Sequence, residues 1–183
     1  MNSASKLLAT RYARALFQAA RDASDTGAGE EVLGEVSMAR GLMREFSPLF
    51  YSPRLSVKEK SAKLASVLKG KVSPLTERFL VLLIERKRFQ LLGEIEDALE
   101  KTILDSKGIV KAQIHSAAPL PAALRERIGS RLSKIFSREV LMEVKEEPDL
   151  LGGVRIRVGD FVIDASLKGR LKALSQTLIG ESL

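Results

Sequence analysis

Residues 150–174, LLGGVRIRVGDFVIDASLKGRLKAL, decide how the second half of this chain is built. Val154, Ile156 and Val158 alternate with Arg155 and Arg157, which predicts a strand with one apolar and one charged face. Gly159-Asp160 is a two-residue turn signal, because such turns need positive φ and glycine tolerates it. Phe161 to Ile163 then runs back as a second strand. Asp164-Ala-Ser166 opens a helix with Ser166 as its N-cap. Strand, turn, strand and helix follow one another with no reaction centre among them, so the segment presents a surface.

Working towards the N-terminus, Pro148 and Gly152-Gly153 lead into this hairpin. Val140, Met142 and Val144 alternate as another strand. Before it, Pro119 and Pro121 precede a helix whose predicted apolar face is Leu124, Ile128, Leu132 and Ile135. Residues 109–115 alternate again, with Val110, Ala112 and Ile114 to one side. The pattern changes near residues 105–108. Everything upstream has helical period, so the chain reads as an α-helical domain over 1–105 followed by a small α+β domain over 106–183.

The helical half is punctuated by local signals. Leu8, Tyr12, Ala15, Leu16 and Ala19 share one predicted face of the first helix, which Gly27 and Gly29 break. Val32, Val36, Ala39, Met43 and Phe46 form the next stripe, and Pro48 and Pro53 bracket a short irregular piece. Ser56-Val-Lys-Glu59 matches a capping box, with Val57, Leu64, Ala65 and Leu68 as the apolar face and Gly70 as the stop. Ser73-Pro74 starts a further helix, Ser at the N-cap and Pro at N1. Its centre, residues 79–84, is apolar all round and must be covered on most sides, either as the central helix of a bundle or half-exposed to a partner. The last helix carries Leu92, Ile95, Leu99 and Ile103.

Composition narrows the function classes. Aromatics are 5% and Trp is absent, so Leu, Ile, Val and Ala must make the core. There is no Cys, which excludes disulfides, thiolate catalysis and cysteine metal sites. Lys6, Arg11, Arg14 and Arg21 interrupt any apolar signal segment, and Asp22 and Asp25 argue against an organelle transit segment. The run 79–84 is far too short to span a bilayer. The formal charge of +7 is spread along the chain: 17 basic and 14 acidic side chains in residues 1–105, 13 and 9 in residues 106–183. A nucleic-acid binder usually gathers its charge into one stripe. That reading, and an enzyme acting on an anionic small molecule, are the alternatives to an interaction protein.

Candidate chemistry is thin. His115 is the single histidine and reads as a strand residue at a sheet edge. The Gly152-Gly153 pair enters a strand rather than a helix, which makes it a backbone bend and not a phosphate loop. Asp160 belongs to the turn and Asp164 to the helix entry. No nucleophile, general base or metal cluster stands out. Arg155 and Arg157 beside Lys168, Arg170 and Lys172 read either as a solvated face or as a docking surface for an acidic partner.

The order of Leu-Gly-Gly, an alternating Val/Ile/Arg strand, Gly-Asp, Val-Ile-Asp, a small residue, Ser and a basic helix resembles the delta subunit of F-type ATP synthases. The mitochondrial relative is the oligomycin-sensitivity-conferring protein. Arg11-Tyr-Ala-Arg-Ala-Leu-Phe17 is similar to that family's first helix, and the resemblance runs over essentially the whole chain. One departure is Ala165, where the family usually carries Gly. It bears only on the local backbone, since Ala resists positive φ.

The resemblance implies a non-catalytic stator subunit without cofactor or metal. Such a subunit joins the catalytic head to the membrane-anchored peripheral stalk, so that rotor torque is resisted and proton flow is coupled to ATP synthesis. It implies an N-terminal six-helix bundle that holds the N-terminal helix of an alpha subunit. It also implies a C-terminal domain that engages the C-terminal end of stalk subunit b. The protein would sit peripherally on the cytoplasmic side, one copy per complex, held through partners. The expected head contacts are Tyr12, Ala15, Leu16, Phe79, Leu80 and Leu83, in a groove between the first helix and the 74–86 helix. The expected stalk contacts are Arg155, Arg157, Lys168 and Arg170.

Overall fold

The computed structural model describes residues 3–23, 27–45 and 56–180. The fold is mostly helical with one small sheet. The chain divides into two compact units, Met1–Ile103 and Leu104–Leu183.

The first unit contains, among the described residues, helices α1 (Ser3–Ala23), α2 (Ala28–Glu45), α3 (Val57–Leu68), α4 (Pro74–Glu85) and α5 (Leu92–Ser106), the unit boundary falling in the last turn of α5. Its core gathers Val32, Val36 and Ala39 of α2, Leu64 and Leu68 of α3, Leu80 and Leu83 of α4, and Leu92, Ile95, Leu99 and Ile103 of α5. Both sequence-predicted caps form. Ser56 Oγ accepts the Glu59 amide while Glu59 reaches back to the Ser56 N–H at 2.8 Å. Ser73 Oγ accepts the Thr76 amide, with Pro74 in the first turn. The Ser73 cap is itself anchored from α2: the Glu35 carboxylate accepts from the Ser73 N–H at 2.6 Å, from Ser73 Oγ at 2.7 Å and from Thr76 Oγ1. A carboxylate from one helix therefore satisfies the amino end of another, where the helix dipole favours negative charge.

One detail differs from the sequence reading. The buried seam of α1 is Ala9, Ala13, Leu16 and Ala20, with Leu8 and Tyr12 at its flanks and Ala15 exposed. Small residues occupy the seam because they let helices approach closely, and of the expected line Leu8, Tyr12, Ala15, Leu16 and Ala19 only Leu16 lies in it. At the end of α4 no glycine is available. Lys87 takes φ 55° instead, and the Arg88 N–H bonds Leu83 O at 2.8 Å. Phe46, Pro48 and Pro53, read above as a stripe end and an irregular piece, lie outside the described residues.

The second unit is a four-stranded sheet with a helix on one face. Its elements are β1 (Ile109–Ser116), α6 (Ala122–Phe136), β2 (Glu139–Glu146), β3 (Val154–Val158), β4 (Phe161–Asp164) and α7 (Leu167–Gly180). The order is β2-β1-β3-β4, with β1 and β2 parallel and the other pairs antiparallel. Ala112, Ile114, Ile156, Val158 and Leu132 form its core. On α6 the inward line is Ile128, Leu132 and Phe136. Leu124 and Ile135, predicted to share that face, are exposed at 39% and 66%. The helix is turned towards Met142, whose Cε lies 2.9 Å from where a Cβ on Gly129 would stand. His115 sits on the central strand β1, not at an edge, because β1 has partners on both sides.

Candidate functional site: two docking surfaces

In the first unit, four of the six predicted head contacts are core. Leu80 and Leu83 have no exposed surface, Leu16 is 2% exposed and Phe79 8%. Tyr12 is half-buried, its ring edge-on to Phe79 at 6.2 Å and its hydroxyl accepting from Arg88 Nη1 at 2.8 Å. Ala15 alone lies on the outer face. These five buried or half-buried side chains build the inner wall of the bundle. What α1 offers outward is Leu7, Arg11, Arg14, Ala15 and Gln18. Arg14, Phe17, Gln18, Arg21, Asp22 and Thr102 line a shallow depression of about 480 Å³ between α1 and α5.

In the second unit the hairpin register decides what the arginines do. The two-residue turn at Gly159-Asp160, with Gly159 at φ 58°, sets Val158 opposite Phe161 and hence Arg155 opposite Asp164. Arg155 Nε lies 3.1 Å from Asp164 Oδ2, and its Nη1 lies 3.5 Å from Glu147 Oε1. Glu147 also meets His115 Nδ1 at 2.8 Å. Arg155 is thus committed within its own unit, as the turn spacing alone could have told. Arg157 is exposed and, among the described residues, its guanidinium reaches the Gly159 carbonyl at 3.4 Å. Lys168 and Arg170 are exposed and carry no ion pair among the described residues. On the same sheet face, Glu143 stands between Lys111 and Lys145, each at 3.4 Å, and the Lys111 charge first holds its carboxyl below the usual range.

Asp164 also builds the start of α7. Its Oδ1 accepts from Ser166 Oγ at 2.6 Å and from the Ser166 N–H at 3.0 Å, while Ser166 Oγ accepts the Gly169 amide at 3.0 Å. The Ser166 hydroxyl, then its amide, then Arg155 hold the Asp164 carboxyl down at about 2. A carboxylate depressed in the folded state stabilises fully above its unfolded value near ~3.9, and that contribution fades as pH falls through the folded value. We expect the C-terminal unit to loosen between about pH 4 and pH 2, read by amide exchange at α7. In Asp164→Asn that step should shrink.

The Gly-Gly pair is a close approach of backbones. Gly153 has φ 76°, and a Cβ there would stand 2.3 Å from Ala165 O. Gly152 O accepts the Leu167 N–H at 2.9 Å. Ala165 has no positive φ, as the departure from the family pattern requires. The helix that follows leans on its unit chiefly at the Pro148–Leu150 turn. It leaves Leu167, Leu171 and Leu174 exposed at 49%, 58% and 61%. These leucines recur at i, i+4 and i+7, a signal present in the sequence that the reading of charges passed over. Among the described residues no group of His, Cys, Asp and Glu is placed to hold a metal ion, and no helix is long and apolar enough to cross a membrane.

Comparison with known proteins gives one answer. The profile of the family described as "ATP synthase delta (OSCP) subunit" matches residues 8–178. The chain is 31% identical over 175 residues to ATP synthase subunit delta of Symbiobacterium thermophilum, covering 94% of this chain and 92% of that one. It is 35% identical over 174 residues to the same subunit of Methylibium petroleiphilum, covering 93% and 96%. Its fold is similar to a chain in the cryo-EM structure of the Toxoplasma gondii mitochondrial ATP synthase hexamer. That likeness has a TM-score of 0.67 and 24% identity over 94% of this chain and 97% of that one. Sequence profile, relatives at full length and fold agree, and the chain belongs to the ATP synthase delta (OSCP) subunit family.

Proposed function

We propose that this chain is a two-sided adaptor, with residues 1–105 holding the catalytic head and residues 106–183 holding the stalk. As a delta subunit it is a non-catalytic component of the ATP synthase peripheral stalk. The proposed partners are the N-terminal helix of an alpha subunit and the C-terminal end of subunit b, with the protein on the cytoplasmic side of the membrane. The N-terminal unit is proposed to be the family's six-helix bundle. A stator element must transmit torque without doing chemistry. Two tight contacts on one adaptor suffice, each raising the effective concentration of the other.

The observation that carries this reading is the leucine stripe of α7. Leu171 and Leu174 are exposed along α7, Leu167 is half exposed beside Gly152, and Lys168, Arg170 and Lys172 flank them. An exposed apolar line bordered by uncommitted cations fits an amphipathic helix with acidic borders. Each leucine fully buried on docking contributes roughly 1.5–3 kcal/mol. For the head, the outer face of α1 replaces the inner groove. Leu7, Arg11, Arg14, Ala15 and Gln18, with the depression towards α5, can receive a helix without opening the core.

Full-length variants can be titrated separately against isolated head and against a soluble C-terminal fragment of subunit b. Leu171→Asp should weaken stalk binding at least a hundredfold and leave head binding unchanged. Reversing Arg157, Lys168 and Arg170 to Glu should slow association with the stalk fragment and reduce its salt dependence. Equal stalk affinity in Leu171→Asp would remove α7 from the interface. A nucleic-acid role rests on net charge alone, and it would be seen as binding that falls steeply with salt.

A further inference from the structure

Leu151 sits in a conformation that leucine rarely adopts. Its φ is 63°, and it is one of three non-glycine residues with positive φ among those described. The other two, Lys87 and Ser137, follow helices α4 and α6 and carry polar side chains to solvent. Leu151 has no polar group for water, and its side chain is 68% exposed. Left-handed backbone is unfavourable for a residue with a Cβ. Burial within the unit does not offset that cost here. Glycine would relieve the strain, and asparagine would be tolerated.

The surroundings say what an apolar side chain can do there. The Leu151 N–H donates to Pro148 O at 3.0 Å, which closes the turn on which α7 leans. The next residue, Gly152, binds the first amide of α7 through its carbonyl. The Leu167 side chain fills the space beside Gly152, with Cδ1 2.7 Å from where a Cβ would stand. Leu151 thus stands beside the amino end of the Leu167–Leu171–Leu174 stripe. The basic residues Lys168, Arg170 and Lys172 border the same surface.

We infer that Leu151 is an anchor of the stalk contact, held in strained backbone so that its side chain enters the apolar face of an acidic-bordered amphipathic helix. This rests on the reading of α7 as the stalk surface. The test uses full-length Leu151→Gly, Leu151→Asn and Leu151→Met, with Leu171→Asp as reference, against the soluble subunit b fragment and isolated head. Melting temperature should hold or rise in the Gly and Asn variants, while stalk affinity falls tenfold or more through faster dissociation. Leu151→Met should keep most of the affinity, and head binding should not change. Intact stalk affinity in Gly and Asn, beside a loss in Leu171→Asp, overturns the role of Leu151 alone. Intact affinity in Leu171→Asp overturns the reading of α7 beneath it. A lowered melting temperature in both Gly and Asn would make Leu151 a structural residue and overturn the inference.

Discussion

Gly153→Ala is expected to destabilise the C-terminal unit by at least ~3 kcal/mol, from left-handed strain of about 1–3 kcal/mol and overpacking of similar size. The methyl group would stand 2.3 Å from the Ala165 carbonyl, a backbone atom with nowhere to go, at a φ of 76°. The junction between β4 and α7 would have to open. That loosens the Gly152–Leu167 bond and the seating of the Asp164–Ser166 cap. Gly152→Ala is the control. Its Cβ would meet the end of the Leu167 side chain, which can rotate away, so the loss should be smaller. Urea unfolding of both variants ranks them. Equal stabilities would show that the backbone contact is not what makes the position glycine.

Ala13→Asp should unfold the helical unit, whereas Ala15→Asp should leave it folded. Ala13 has no exposed surface and lies in the α1 seam. A carboxylate there has no partner and costs several kcal/mol, enough to exhaust much of a domain's stability. Ala15 is two positions on and faces outward beside Arg11 and Arg14. An aspartate there stays solvated. If the outer face of α1 receives the head, Ala15→Asp should lower head affinity tenfold or more with an unchanged melting temperature. Unchanged affinity would move the head contact elsewhere on the bundle.

Local chemistry was legible in the sequence; register and neighbourhood were less so. Ser56–Glu59 and Ser73–Pro74 announced their helices because a cap is made within four residues. Leu92, Ile95, Leu99 and Ile103 announced the buried face of α5 because every position on it is large. The α1 seam was misread because its alanines are quieter than Leu8 and Tyr12 beside them. The all-apolar centre of α4 is covered by the bundle at Phe79, Leu80, Leu83 and Ile84, whereas Val81 is half-buried and Leu82 exposed, so only one side of it reaches the surface. Arg155 looked free until the hairpin register paired it with Asp164. The parallel pairing of β1 with β2 depends on how α6 returns the chain, which no local pattern records. Leu151 entered the resemblance as the first residue of Leu-Gly-Gly, but its left-handed backbone gave no local sign, since a leucine beside two glycines looks like loop.

The first strand of the sheet is also its centre, and this sets an order of events during synthesis. β1 is flanked by β2 on one side and β3 on the other. The helical unit is complete in sequence by Ile103 and can fold as it leaves the ribosome, whereas β1 cannot be enclosed until Val158 has been added. At about 5–20 residues per second, the ~40 residues between take roughly 2–8 s. Through that interval Ala112 and Ile114 lie on a strand with an unpaired edge, the geometry that invites pairing with other chains. A message truncated before Val158 would make that exposure permanent, releasing a folded bundle that drags an aggregation-prone strand behind it.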